Sequence, residues 1–253
     1  MLTISPLTNF PLIKKGDNIA ESISSSLSNN NIALKDGDII VIAQKIVSKA
    51  EGRIVDLKDV NPSKKARELA SICEKDPCLI ELILQESNQV IRIKPGTIIV
   101  EHRLGFICAN AGIDHSNVVK DNKAEDLVLL LPKNPDKSAS TIRQYFYHKE
   151  NVQIGIMIID SHGRAWRLGV VGITIGISGL PGLVDMRGEP DLFGGILRTT
   201  QIGAADELAG AASLVMGQAN EGIPVVHVRG FPYALRDGSL KELIRPIDQD
   251  LFR

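Results

Sequence analysis

Apolar residues at 19, 23 and 27 recur on one helical face, so residues 17–27 read as an amphipathic helix, broken by Asn29-Asn30-Asn31. Behind a Lys-Asp-Gly-Asp turn, 38–47 is apolar enough for a buried strand, and it leads into a polar loop at 48–53. Ser63, after Pro62, is placed to cap a helix to Glu74, and Asp76-Pro77 starts another through Leu79, Leu82, Ile83 and Glu86. Residues 90–93 and 97–100 form short strands split by Pro95-Gly96, with further strands at 106–109 and 127–131. Pro, Asn, Asp and Ser gather at 133–138, which reads as a linker between two subdomains of one domain spanning 1–253. A helix at 140–148 and a buried strand at 151–160 follow. The Gly-punctuated, β-branched stretch 170–177 predicts a strand closely approached by another backbone. Residues 180–195 are loop-rich, 200–216 is an alanine-rich helix with Ile202, Ala205, Ala209, Ala212 and Met216 on one face, and 224–228 is a last strand. Helices and strands mix without regular βαβ alternation, which predicts an α+β fold with mixed and antiparallel sheets.

Two segments interrupt this pattern informatively: Asn110-Ala111-Gly112-Ile113-Asp114 and Ile159-Asp160-Ser161-His162-Gly163-Arg164. Each sets an aspartate where an apolar run meets a glycine-containing loop. A carboxylate at the mouth of a buried strand is costly unless it is paired or holds a cation. For either aspartate alone, accepting N–H bonds in a turn is the commoner fate. With Asn117, Ser161 and Arg164 nearby in sequence, the pair fits a hard-metal site that serves a phosphate, and oxygen ligands suit Mg²⁺ or Mn²⁺.

Lys49 follows an apolar run and is either a point charge for a phosphate or a solvated lysine. Arg164 and Arg167 either clamp an anion or stack on Trp166. Gly217 and Gly222 flank a loop able to expose backbone N–H groups, although for the loop taken alone an ordinary helix cap is the better explanation. Asp206-Glu207 reads as one solvated and one salt-bridged carboxylate. The five histidines have no zinc spacing, and GxxxxGK[ST], GxGxxG and GxSxG are all missing. Any nucleotide cradle must therefore be an unusual one.

Composition narrows the class. With 43% hydrophobic and 23% charged residues the chain can bury a full core. A net charge of −1 disfavours nucleic-acid or membrane-surface binding. Three cysteines without CxxC fit neither a disulfide framework nor a zinc knuckle. The start of the chain has no signal-peptide pattern and no run is long enough for a membrane span, so a cytoplasmic protein is expected.

The chain resembles the coenzyme F420 γ-glutamyl ligase family along PLIKKGDNI, VSKAEGR, NAGIDHSNV, DSHGRAWRLGVVGITIGISG, RGEPDLFGG and ADELAGAASLVMGQANEGIPVV, in order from Pro11 to Gly230. Asp160-Ser161 stands where the family more often has Asp-Thr, which keeps the hydroxyl, and Gln218 stands where acid or amide occurs. The resemblance implies an uncommon, ligase-specific α+β fold, an intertwined homodimer with sites between subunits, and no added flavin-binding domain. It implies GTP-dependent addition of L-glutamate to the deazaflavin precursor F420-0 through an acyl phosphate. Carried over by position, Asp114 and Asp160 hold one Mg²⁺ or Mn²⁺, Ser161 and Gln218 help hold a second, and K⁺ is a further candidate cation. Phe10, Pro11, Leu12, Ile13, Gln44, Lys45, Lys49, Asn117, Met216, Gly217, Gln218, Ala219, Asn220, Glu221, Gly222 and Ile223 form the GTP site, and Lys49 joins the aspartates in catalysis. The alternatives are another nucleotide-dependent carboxylate–amine ligase and a non-catalytic nucleotide- and metal-binding regulator.

Overall fold

In the computed structural model, which describes residues 1–118 and 126–251, strand β1 (Thr3–Pro6) leads to helix α1 (Ile19–Asn29). Asn18 caps α1 by accepting the N–H groups of Ala20 and Glu21. Strand β2 (Ile39–Ala43) runs straight into helix α2 (Gln44–Ala50). The expected strand over 38–47 is therefore half helix, and the expected loop at 48–53 begins as the last turn of that helix. Ile46 and Val47 are buried from the helix, so the apolar run serves two elements. Strand β3 (Ile54–Asp56) precedes helix α3 (Lys64–Cys73), capped by Ser63, and helix α4 (Pro77–Gln85), capped by Asp76 with Pro77 in its first turn.

Strands β4 (Ser87–Lys94), β5 (Thr97–His102) and β6 (Ile107–Ala109) make a three-stranded antiparallel sheet, and β7 (Leu127–Leu129) pairs with β3. Helix α5 (Pro135–Glu150) begins where a linker was expected. Asn134 accepts the Lys137 N–H and Pro135 opens the first turn, so the polar cluster is a helix start. The long hairpin β8 (Gly155–Arg164) and β9 (Arg167–Ser178) comes next. Strands β10 (Val184–Asp185) and β11 (Gln201–Ile202) pair at the base of an exposed ribbon, helix α6 (Ala204–Met216) starts four residues later than expected, and β12 (Val225–Arg229) closes the order.

The main sheet runs β1-β12-β2-β8-β9, with β2 and β8 parallel and the other pairs antiparallel. Strand β2 and the first half of β8 are continuously apolar because both faces are covered there. Ile40, Ile42, Ile156 and Ile158 pack toward Leu27 and Phe146, while Ile39, Val41, Met157 and Ile159 pack toward Ala205, Ala209 and Ala212. Strand β9 is pinched as expected: a Cβ at Gly172 would lie 2.6 Å from the Ala209 carbonyl oxygen, and one at Gly176 would fall on Pro135. A further apolar cluster, including Ile80, Ile83, Ile98, Val100, Cys108 and Val128, fills the space between α3, α4 and the β4–β6 sheet. Among the described residues no helix is long and apolar enough to cross a membrane.

Candidate active site

Alternation along β8 sorts its polar residues onto two faces. Asp160 and His162 share one face, with His162 Nε2 2.9 Å from Asp160 Oδ2. Ser161 points the other way, where its Oγ donates to Gln218 Oε1 at 2.8 Å. Gln218 Nε2 in turn donates to Ser213 Oγ at 2.8 Å, so the loop after α6 is tied both to its own helix and to β8.

Asp114 arrives by a different route. After β6 the chain makes a 3-10 turn, Asn110–Gly112, in which Asn110 and Ala111 hold φ of 51° and 52°. Ala111 is 1% exposed, so a buried non-glycine residue sits in the left-handed region, at a cost of roughly 1–2 kcal/mol. That turn carries Asp114 to a backbone bridge with Leu129, N–H to O at 3.0 Å and the reverse at 2.8 Å. Its carboxylate accepts from Gln44 Nε2 at 3.3 Å and pairs with Lys45 Nζ at 3.3 Å. Burial pushes the Asp114 carboxyl up; Lys45 opposes this, and the negative charge of Asp160 adds to it. The two aspartates therefore sit close enough to repel.

Helix α2 carries Lys45 and Lys49 one turn apart on one face. Lys49 Nζ donates to the Asn117 carbonyl at 2.6 Å, and Lys45 Nζ to Ser116 Oγ at 2.8 Å. Burial holds Lys49 below the ordinary lysine range, and the Lys45 charge lowers it further. Lys49 is half-buried and feels the Lys45 charge. An anion between the two ammoniums would relieve that repulsion.

Every residue assigned from the sequence to the GTP, cation and catalytic sites lines a single cleft of about 1490 Å³. Phe10, Pro11, Leu12 and Ile13 come from the segment after β1, Gln44, Lys45 and Lys49 from α2, and Asp114 and Asn117 from the segment after β6. Asp160 and Ser161 come from β8, and Met216, Gly217, Gln218, Ala219, Asn220, Glu221, Gly222 and Ile223 from the end of α6 and its loop. In that loop Gly217 and Gly222 hold φ of 75° and 68°, and Glu221 accepts the Ala219 N–H at 2.8 Å. Asn117 Nδ2 donates to the Ala219 carbonyl at 3.4 Å across the cleft.

Arg164 and Arg167 also line the cleft, and Arg164 Nη2 bonds the Leu168 carbonyl at 2.9 Å. The expected salt bridge at 206–207 is not formed: Asp206 accepts the Thr174 N–H at 2.9 Å, pinning a β9 bulge, and Glu207 is exposed. Sequence reasoning overlooked His162, for which the only signal was the Asp-x-His spacing on a strand. It also overlooked an apolar wall of Ile54, Ile91, Ile99 and Ile107. Cys108 lies in the same wall, but burial and then the Asp160 charge push its thiol up to about 12, so it is no nucleophile.

Among the described residues no three His, Cys, Asp or Glu side chains gather as a metal cage. Two carboxylates lining one cleft without a cage would suit a cation that keeps waters and takes its remaining oxygens from a phosphate, as Mg²⁺ does.

Fold and site together define an α+β protein whose cleft gathers two carboxylates beside paired lysines. The sequence comparisons give that class its family. A family model described as F420-0:Gamma-glutamyl ligase matches residues 8–230, and the chain belongs to this family of ligases. It is 46% identical over 254 residues to the coenzyme F420:L-glutamate ligase of Methanothermobacter thermautotrophicus, covering 100% of this chain and 99% of that one. It is 49% identical over 221 residues to the coenzyme F420:L-glutamate ligase of Methanococcus maripaludis strain C7, covering 87% and 86%, and 44% identical over 245 residues to that of Methanocaldococcus jannaschii, covering 96% and 94%.

Proposed function

We propose that this chain adds one or more L-glutamates to F420-0, γ-linked after the first, using GTP. The observation that carries this reading is the meeting of Asp114, Asp160, Lys45 and Lys49 with the glycine-flanked 216–223 loop in one cleft. Lys45 and Lys49 neutralise phosphate charge, and the loop presents backbone N–H groups. The acceptor carboxylate oxygen bonds to the γ-phosphorus as the bond to GDP breaks. The glutamate amine then bonds to the acyl carbon, phosphate leaves with the former carboxylate oxygen, and the amine loses its proton to solvent. Two anions must meet for the first step, so positioning and charge neutralisation are what this cleft has to supply.

Asp114 and Asp160 would hold one Mg²⁺ or Mn²⁺, and Ser161 with Gln218 a second; such ions supply charge neutralisation at the phosphates when bound. The apolar wall at 54, 91, 99 and 107 suits the flat deazaflavin ring.

A homodimer belongs to the same reading. Residues 185–201 form a ribbon whose tip exposes Leu192 by 91% and Phe193 by 93%, and Leu214 on α6 is also bare.

Mass spectrometry of products after incubation with F420-0, glutamate, Mn²⁺ and either GTP or ATP tests the activity. The expected result is addition of glutamate residues with GDP release, and little product with ATP. No added glutamate would refute the ligase reading, and equal turnover with ATP would refute its nucleotide.

A further inference from the structure

His162 has no part in the chemistry proposed above, yet it is the group that touches Asp160. Its ring is 7% exposed, with Nε2 2.9 Å from Asp160 Oδ2. A carboxylate only accepts, so Nε2 carries the proton. The tautomer leaves Nδ1 as an acceptor, and Nδ1 is buried with no hydrogen-bond partner among the described residues. A buried polar atom left unpaired is a cost that needs an explanation. The backbone of β8 supplies one. Asp160 and His162 are two residues apart on one strand, so the pleat puts both side chains on the same face.

Behind His162 the ring is held by stacking. Phe106 lies 5.3 Å from it at an interplanar angle of 59°. His102 stacks flat on the far side of Phe106 at 5.1 Å and 6°. The His102 orientation is fixed in turn, because its Nδ1 accepts the Leu104 N–H at 3.0 Å. A rigid aromatic column thus ends in one N–H aimed at one carboxylate oxygen. Asp114 has its own holders in Gln44 and Lys45.

We infer that His162 is a positioning residue that fixes the Asp160 carboxylate for a divalent cation, leaving the other oxygen free to ligate. The inference rests on the cation reading of Asp114 and Asp160. Groups that hydrogen-bond a ligating carboxylate typically govern metal affinity by 10–100-fold.

Three variants separate positioning from packing. His162→Phe keeps the ring against Phe106 and removes the N–H. His162→Asn keeps a buried amide too short to reach Asp160, and covers the case in which the Phe variant does not fold. His162→Gln returns an N–H near the Nε2 position. Mn²⁺ binding to each folded protein, without nucleotide or acceptor, is followed by electron paramagnetic resonance, with circular dichroism and thermal melting as controls on the fold. The expected result is a 10–100-fold weaker Mn²⁺ affinity in His162→Phe and His162→Asn, with His162→Gln near wild type. Wild-type Mn²⁺ affinity in a folded Phe or Asn variant would overturn the inference, as would a Gln variant as weak as the other two. If wild-type protein binds no Mn²⁺ while Asp160→Asn behaves identically, the cation reading itself fails, a different outcome from equal binding by wild type and His162→Phe.

Discussion

Ser161 Oγ donates to Gln218 Oε1 at 2.8 Å, joining the exposed end of β8 to the loop that follows α6. Gln218 also donates to Ser213, so its amide is held at both ends. Replacing Gln218 by Glu keeps the Ser161 donor, turns the Ser213 hydroxyl from acceptor to donor, and adds an anionic oxygen to the cleft. Gln218→Glu is expected to lower the Mn²⁺ concentration needed for half-maximal turnover, with a melting temperature near wild type. Gln218→Ala cuts both tethers and should raise the KM for GTP. Metal titrations that overlay for wild type and Gln218→Glu would remove Gln218 from the cation site.

Lys49 sits beside a second lysine and is itself partly desolvated. Lys49→Ala should therefore leave the stability of the nucleotide-free protein within about 0.5 kcal/mol. GTP affinity should fall by about tenfold or more, as expected for losing a charge-assisted phosphate contact of 1.5–3 kcal/mol. Calorimetric titration with GTP checks this, and an unchanged Kd would return Lys49 to a role in holding the Asn117 carbonyl.

The helix starts at Ser63 and Asp76 were legible because a capping side chain announces itself in the sequence, whereas the helix expected from Asp17 is capped by Asn18 and begins at Ile19. The start of α2 was not: Ala43 makes no side-chain cap bond, and Ile46 and Val47 extend the apolar run of β2. At Asn134-Pro135 the chemistry that starts a helix is the same chemistry that fills a linker, and composition alone does not separate them. The site was more legible than the elements that carry it. Asp114 and Asp160 stand out because each ends an apolar stretch, whichever element follows. His162 was not legible because the expected strand stopped at 160, and the period of two that sets it beside Asp160 applies only because β8 runs on to Arg164.

His102 gives the fold a pH dependence. Burial is the main reason its pKa falls from the ordinary 6.5 to about 4, and Arg103, His162 and Arg53 add to the shift. Folding favours the neutral ring, so the unfolded chain takes up this proton first as pH falls. The stability is complete above about pH 6.5 and lost progressively toward pH 4, with about 2 kcal/mol gone at pH 5. His102→Asn keeps an acceptor for the Leu104 N–H and removes the titration. Urea unfolding at pH 7 and pH 5 should show a smaller loss for His102→Asn than for wild type. Equal losses would assign the acid sensitivity to other groups.

Phe193 and Leu192 tip a ribbon and are each more than 90% exposed. Phe193→Glu should shift light-scattering mass from dimer to monomer and reduce turnover. A wild-type protein that is monomeric at working concentration, and fully active, would exclude the shared-site arrangement.

Asp114 and Asp160 separate the cation reading from the turn-cap reading most cleanly. Burial and the neighbouring Asp160 charge both raise the Asp114 carboxyl, while Lys45 opposes them. A carboxyl raised on folding destabilises the folded protein while it is ionised, and that penalty fades as pH falls. Asp114→Asn removes it, keeps an acceptor for Gln44, and leaves part-exposed Lys45 with its Ser116 bond but without its ion pair, a small loss for such a pair. Asp160→Asn keeps an acceptor for the His162 N–H. In EDTA at pH 8 each variant should melt at or above the wild-type temperature, because one of two repelling charges is gone. With Mn²⁺ the order should reverse: wild type gains stability in proportion to the logarithm of metal concentration over its Kd, and the variants gain little. Turnover should fall by orders of magnitude in both. If the aspartates only cap turns, the amides should melt and turn over like wild type with or without Mn²⁺, and that result would leave the cation reading without support.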